Sequence, residues 1–449
     1  MRTASISFNY VLSHKMRFEG KHYLNDNALS CMSIEKNASK CFCLDDIADV
    51  FNPPVFKRQF CKQSGNSVMY FQSSDVSTAS ETSSVFINKK QVESLNLLVR
   101  KNDILITGFG TIGNVRLVSR LQDGVCYANN VCRVRIKDGV YLGYIYAFLS
   151  SKYAYAQLNN NASGSVVRYI EAPGVKKTLV PSFPESFQKE VDDLIQESAR
   201  LREEAAEALE EAHGFIERNF IFANKKQISS VSIKSVLLSH NKRFEATYHT
   251  SENRSIYEYI ISNCKYIRLG DLCDRIFRPG IFKREYVSKG VTFLGGADIL
   301  MAIPDSDKRL SFRQVEKMPE LKVKKNWILV TCGGTIGNTV IIDKQLEQCV
   351  ISQHVMRIVP KEDILKGYLF AVLSSKIGNN LISLFTTGSV IPQIEAHHLE
   401  LVPIPLFNKD IMERIDNKVS SYISKIEVAK ENERKAIRMV EEEIEKWNK

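Results

Sequence analysis

The feature that most constrains this chain is that it is written twice. Leu12–Glu19 (LSHKMRFE) returns as Leu238–Glu245 (LSHNKRFE), setting Arg17 against Arg243 at an offset of 226. Asp45–Arg58 (DDIADVFNPPVFKR) returns as Asp271–Arg284 (DLCDRIFRPGIFKR) at the same offset. Lys101–Asn114 (KNDILITGFGTIGN) matches Lys325–Asn338 (KNWILVTCGGTIGN) at 224. Tyr141–Lys152 matches Leu365–Lys376, and Gly164–Ala172 (GSVVRYIEA) matches Gly388–Ala396 (GSVIPQIEA), both at 224. Five blocks keep one order and nearly one offset. Half of 449 residues is close to that offset, so the duplication accounts for the whole chain.

Each copy opens with short apolar runs and glycine turns, the pattern of a mixed α/β body, and closes with a long amphipathic helix. In the first copy Val191, Leu194, Ser198, Leu201, Ala205, Ala208, Ala212 and Phe215 step by threes and fours between about Glu185 and Phe220. Ile195, Leu209 and Ile216 widen that coiled-coil seam. In the second copy Ile415, Val419, Tyr422, Ile426, Ala429, Ala436, Val440 and Trp447 repeat the pattern, and Glu433 interrupts it. Small seam residues allow close approach, and the connection from Phe220 into the second α/β body makes an antiparallel pair within one chain the expected arrangement; the alternative is that each seam binds a partner's helix. A helix of this length would span about 50 Å at 1.5 Å per residue.

Composition narrows the class of function. The hydrophobic fraction of 44% and charged fraction of 25% are those of an ordinary globular protein. No apolar run is long enough to span a membrane, and the N-terminus lacks the apolar core of a signal peptide. The ten cysteines form no C-x-x-C pair, so the common zinc and redox signatures are missing and an intracellular setting is expected. A net charge of +10 suggests an acidic partner, nucleic acid first among them.

Three motifs imitate catalytic sites. Gly108–Gly113 fits G-x-G-x-x-G, but Asn114–Val118 reads as a strand where a dinucleotide-binding turn would open a helix, and Cys332 replaces Gly108 in the second copy. The shared G-T-I-G-N is therefore expected to be a hairpin. Asn52-Pro53-Pro54-Val55 is similar to the N-P-P-aromatic loop of adenine methyltransferases, but Val55 holds the aromatic place and the second copy reads Arg278-Pro279-Gly280-Ile281. Pro304-Asp305 and Asp307-Lys308 stand too close together to place two carboxylates and a lysine around a metal. His397-His398 is expected to cap a helix or meet solvent.

The charges kept in both copies are the candidate phosphate contacts: Arg17 with Arg243, Lys57-Arg58 with Lys283-Arg284, Lys101 with Lys325, and Arg133 with Arg357. Polar residues at aligned but diverging positions are candidates for base contacts: Asn129 against Gln353-His354, Ser165 against Ser389, and Gln393. Residues 60–88 hardly resemble 286–311, as expected of two scaffolds that present different reading surfaces.

The arrangement resembles the specificity subunit of Type I restriction–modification systems over essentially its full length. The resemblance rests on the two G-T-I-G-N blocks, GYIYAFLSSK with GYLFAVLSSK, GSVVRYIEA with GSVIPQIEA, and the proline steps Leu179–Pro181 and Val402–Pro405 before each long helix. It implies an α+β chain of two tandem target-recognition domains, 1–183 and 225–406. Two long antiparallel coiled-coil helices, 184–224 and 407–449, would separate them, with pseudo-twofold symmetry. It implies that each domain reads half of a split, asymmetric double-stranded DNA target while the helices set the spacing. It also implies a cytoplasmic, non-catalytic subunit with no cofactor of its own. The partners would be two methyltransferase (modification) subunits, which use S-adenosylmethionine, and restriction/translocase subunits, which use ATP and Mg. A stand-alone DNA adenine methyltransferase and a coiled-coil adaptor are the competing expectations. Pro392-Gln393 is the family-like form, and Arg168-Tyr169 takes its place in the first copy.

Overall fold

The fold is taken from a computed structural model, which describes residues 8–13, 25–164, 168–220, 231–238, 242, 244, 248–249, 251–387 and 393–448. Two compact units emerge: residues 1–203 with 428–449, and residues 204–427. Each unit therefore owns one α/β body and a stretch of both long helices, Glu185–Glu217 and Lys409–Glu445.

In the first unit a four-stranded antiparallel sheet runs in the order Ala48–Phe51, Val131–Ile136, Ile104–Thr107, Val115–Leu117. Ile104, Ile106, Cys132 and Val134 put one face into the main core. The apolar helix Leu142–Leu149 and its neighbour Lys152–Asn160 join that core. A two-stranded ribbon, Cys41–Cys43 with Leu179–Pro181, leads toward the long helix. A second, smaller sheet carries Ser67–Phe71 between the antiparallel Phe86–Asn88 and the parallel Cys126–Tyr127, with Phe60–Cys61 at its edge.

The second unit repeats this plan. Its four strands are Cys273–Phe277, Val355–Pro360, Ile328–Thr331 and Thr339–Ile341, in the matching order and all antiparallel. Lys366–Ser374 and Lys376–Leu384 are the paired helices, and Tyr266–Arg268 with Pro403–Pro405 is the ribbon. Its smaller sheet places Tyr286–Leu294 antiparallel to Arg309–Leu310 and parallel to Val350–Ile351. The segments 60–88 and 286–311 thus share a ladder although their sequences hardly align. An antiparallel partner on one side and a parallel strand on the other specify that ladder, and many side chains satisfy both.

The helix seams refine the sequence pattern. Ile195 and Ile216 are buried where Leu194 and Phe215 are only partly so, as the drift of a 3.6-residue turn against a seven-residue repeat requires. Ile444 closes the second seam. Trp447, expected in it, lies beyond the α-helix in the 3₁₀ turn Lys446–Asn448 and packs on Phe183 at 5.4 Å. In the second unit the Glu204–Lys425 pair (2.8 Å) and the Glu211–Lys418 pair fix the helices antiparallel.

Glu433 does not break its seam. It is 6% exposed, accepts from the Tyr146 hydroxyl (2.6 Å) and pairs with Arg202 (2.7 Å) inside the first unit. Burial and the Glu433 carboxylate together hold the Tyr146 phenol well above its ordinary pKa. The matching positions of the second copy, at offset 224, are the apolar Phe370, Leu209 and Ile426. A buried ion pair stabilises little relative to an apolar set, but removing one partner strands the other. Glu433→Leu alone is expected to cost about 3–5 kcal/mol, and the triple change Tyr146→Phe, Arg202→Ile, Glu433→Leu far less. Urea unfolding measures both; equal losses would contradict the account.

His213 shares a 2.9 Å hydrogen bond with Ser374 Oγ, and burial pushes its pKa down to about 4 from 6.5. Between those pH values the unfolded chain binds a proton that the native chain does not, so native stability falls as pH drops through that window. His213→Gln should flatten this acid limb in unfolding curves taken across the window; an unchanged limb would place the sensitivity elsewhere.

Candidate nucleic-acid interface

The loops Asn52–Arg58 and Arg278–Arg284 are built alike. Each leaves an edge strand of the four-stranded sheet and is tied at its base to the short helix after the I-E-A block. Asn52 Oδ1 accepts from the Ala172 amide (2.6 Å), and Arg278 donates to Glu395 (2.5 Å). The asparagine of the methyltransferase-like N-P-P-V thus makes a structural bond. Pro53 and Pro279 are buried, Phe56 and Phe282 are half-buried anchors, and the residues between them face solvent.

A glutamine clamps each loop at its far end. Gln91 Nε2 donates to the Lys57 carbonyl (2.6 Å) while its Oε1 accepts from the Gln59 amide (3.3 Å). Gln314 Nε2 donates to the Lys283 carbonyl (2.7 Å) and its Oε1 accepts from the Glu285 amide (3.1 Å). Both glutamines stand three residues after a helix cap, Asn88 or Ser311, whose side chain accepts from the glutamine amide. Sequence comparison missed them because they lie in or beside the diverging segment. The shared spacing Asn-x-x-Gln and Ser-x-x-Gln was the available signal.

The clamp leaves the Lys57 and Lys283 side chains pointing into solvent, with no ion-pair partner among the described residues. The guanidinium of Arg58 lies over the Tyr70 ring at 5.7 Å, and that of Arg284 over Phe293 at 5.5 Å. Arg284 also donates to Gln353 Oε1 (3.3 Å), and the Gln353 side chain meets His354 Nε2 (3.3 Å). The second unit therefore brings Lys283, Arg284, Gln353 and His354 together. Gln353 is buried among them, and His354 is exposed. In the first unit Asn129 is half-buried beside Asn130, whose Oδ1 has no partner.

Other candidates serve the fold. Arg133 and Arg357 are fully buried in matched sheet strands, so they cannot meet phosphate. Arg133 donates to the Leu97 and Leu98 carbonyls; Arg357 donates to those of Ile351, Ser352 (2.8 Å) and Val355 (2.5 Å). Burial lowers both guanidinium pKa values to about 10. Lys325 is bonded to Glu427 at 2.7 Å, while Lys101 is exposed and uses its amide on Asp123 (2.8 Å). Arg17, Arg243, Ser165 and Ser389 lie outside the described residues.

The G-T-I-G-N blocks are hairpin turns. Thr107 Oγ1 donates to the Thr111 carbonyl (2.5 Å) and accepts from the Asn114 amide (2.9 Å), and Thr331 does the same with Thr335 (2.6 Å) and Asn338 (3.1 Å). Gly113 at φ 91° and Gly337 at φ 93° take the left-handed conformation such a turn needs. The turn is bridged to Tyr169 in the first unit and Gln393 in the second, so the register at offset 224 holds through Arg168-Tyr169. Exposed Phe109 and Tyr169 stack there at 5.4 Å, where the second unit has Gly333 and Gln393. His398 Nδ1 accepts from the Glu395 amide (3.2 Å) and so caps its helix as expected. Among the described residues no group of three or more His, Cys, Asp or Glu could hold a metal, and no helix is long and apolar enough to cross a membrane.

Each duplicated body thus carries a clamped basic loop beside a polar face that differs between the two copies. Residues 261–438 match the family model of the Type I restriction modification DNA specificity domain. The first unit repeats the strand order, helix pair, hairpin and clamped loop of the second. A search of curated proteins found no match. Among solved structures, the chain is similar to the S subunit of a Type-I restriction-modification system from M. genitalium, at 14% identity and TM-score 0.35 over 91% of this chain and 95% of that one. It is also similar to the HsdS subunit from Thermoanaerobacter tengcongensis, at 15% identity and TM-score 0.27 over 91% and 95%. A structure from work on complex assembly and conformational transition of the type I R-M system matches at 15% identity and TM-score 0.31 over 89% and 96%. At such TM-scores these likenesses add nothing to the family match.

Arg357→Ala would remove the guanidinium donor from three buried carbonyls, of which Ser352 keeps the Val355 amide. It is expected to lower stability by about 3 kcal/mol or more and to leave the salt dependence of DNA binding unchanged. Chemical denaturation and a salt titration check the two halves of that statement.

Proposed function

We propose that the chain is the DNA-specificity subunit of a Type I restriction–modification complex, with each unit reading one part of a split double-stranded target. One observation carries this reading: two copies of one scaffold hold the same clamped Lys-Arg loop beside faces whose side chains differ. Shared cations give sequence-independent affinity for phosphate, and divergent neighbours give each half its own preference. The family match over residues 261–438 supports the same assignment.

In this reading the chain directs chemistry done elsewhere. Methyltransferase subunits would supply S-adenosylmethionine-dependent adenine methylation, and restriction subunits the ATP-driven steps, in the cytoplasm. The hairpin geometry of Gly108–Gly113 and the structural bond of Asn52 favour this over a stand-alone methyltransferase.

Replacing residues 286–311 with the corresponding segment of a relative of different specificity tests the reading in the assembled complex. Methylome sequencing should show one half of the target changed and the other kept. An unchanged target, or a change in both halves, would overturn it. The chain without partners should transfer no methyl group from S-adenosylmethionine to DNA.

A further inference from the structure

The two clamped loops share a feature that phosphate binding does not use. At the tip of each, between a buried proline and an anchored phenylalanine, stands a β-branched apolar residue almost wholly in water. Val55 is 87% exposed and Ile281 is 94% exposed. Exposed apolar side chains are common singly. Two at matching positions of a duplicated loop, each held out by the same construction, need a cause. The tip is not a loose end of chain: the asparagine or arginine tie at the base, the phenylalanine anchor and the glutamine clamp fix the backbone on both sides of it. The sequence around it drifts from Asn-Pro-Pro to Arg-Pro-Gly while the tip stays β-branched and apolar and the next three residues stay Phe-Lys-Arg.

We propose that Val55 and Ile281 are base-contacting residues that enter the groove of duplex DNA and pack on base edges. This inference rests on the DNA-reading assignment above. A solvent-directed lysine and an exposed arginine laid over an aromatic ring follow each apolar tip by two and three residues, an order that suits a polyanion with an apolar interior. Lys57-Arg58 and Lys283-Arg284 would meet phosphates while the tip passes between the strands' backbones toward the bases, where thymine methyl groups and base faces offer apolar surface. Each tip stands between an exposed small or ring residue and the anchored phenylalanine (Pro54 and Phe56, Gly280 and Phe282), with the Lys-Arg pair directly beyond. Apolar contact of this kind discriminates among base pairs, whereas the adjoining lysines do not. The tips therefore belong to the specificity of each half-site.

The test uses the full chain and a randomised duplex pool from which the wild-type chain selects its own motif. Val55→Thr keeps the side-chain shape, Ile281→Thr keeps the β-branch and shortens it by one methyl, and both lose apolar character; their exposure makes the fold indifferent to them, and melting curves confirm this. Each is expected to weaken binding to the selected duplex about tenfold, to relax one or two positions in one half of the motif only, and to leave the slope of log affinity against log salt unchanged. Lys283→Ala should instead lower that slope by about one with the motif intact. If both threonine variants select the wild-type motif with wild-type affinity, the tips do not touch bases and the inference falls while the DNA-reading assignment stands. If the wild-type chain selects no duplex at all, the assignment and the inference fall together.

Discussion

Each unit depends on a close approach between a glycine amide and a long-helix aspartate. Gly143 donates to Asp192 Oδ1 at 2.5 Å, and Gly367 donates to Asp416 Oδ1 at 2.7 Å. A Cβ on Gly143 would lie 2.8 Å from both that carboxylate oxygen and Ile195 Cβ; one on Gly367 would lie 2.8 Å from Asp416 Oδ1 and 3.1 Å from Val419 Cβ. The carboxylate thereby caps the start of the apolar helix and seats it on the seam. The following tyrosines, Tyr144 and Tyr368, tie the same helices to the ribbons through the Pro181 and Pro405 carbonyls, each at 2.6 Å. Sheet, ribbon and helix pair are thus fixed to one point, and the loops that face solvent are carried on that rigid base.

The two units use one plan with different internal polarity. The first carries the buried Tyr146–Glu433–Arg202 set where the second is apolar. Such a set adds little stability over hydrocarbon, but it punishes any arrangement that leaves one member unpaired. Elsewhere the seams agree: Arg120 pairs with Glu203 in the first unit, and at matching positions Lys344, joined by Lys325, pairs with Glu427 midway along Lys409–Glu445 in the second.

Much of this was legible in the sequence because it was written twice. The duplicated blocks located the hairpin turns, the apolar helices and the paired loops, and period-3.6 spacing located the long helices. What escaped was what depends on three-dimensional placement. Arg133 and Arg357 looked like surface charges because a conserved spacing does not say which face of a strand a residue takes; both point into the core and satisfy carbonyls there. Glu433 looked like a break in a seam because its partners are 231 and 287 residues away. Gln91 and Gln314 were hidden by the divergence around them, although their capping pattern was readable. Of the site residues, the Lys-Arg pairs stand on matched, exposed loops, Gln353 and His354 join Arg284, and Lys325 is taken by an ion pair.

The central claim is that two similar units read two parts of one DNA target. A hydroxyl-radical footprint of the assembled complex on a duplex bearing its methylated sequence tests this most directly. The account predicts two protected tracts, with Lys57→Ala weakening protection of one and Lys283→Ala that of the other. A single tract affected equally by both substitutions would contradict it.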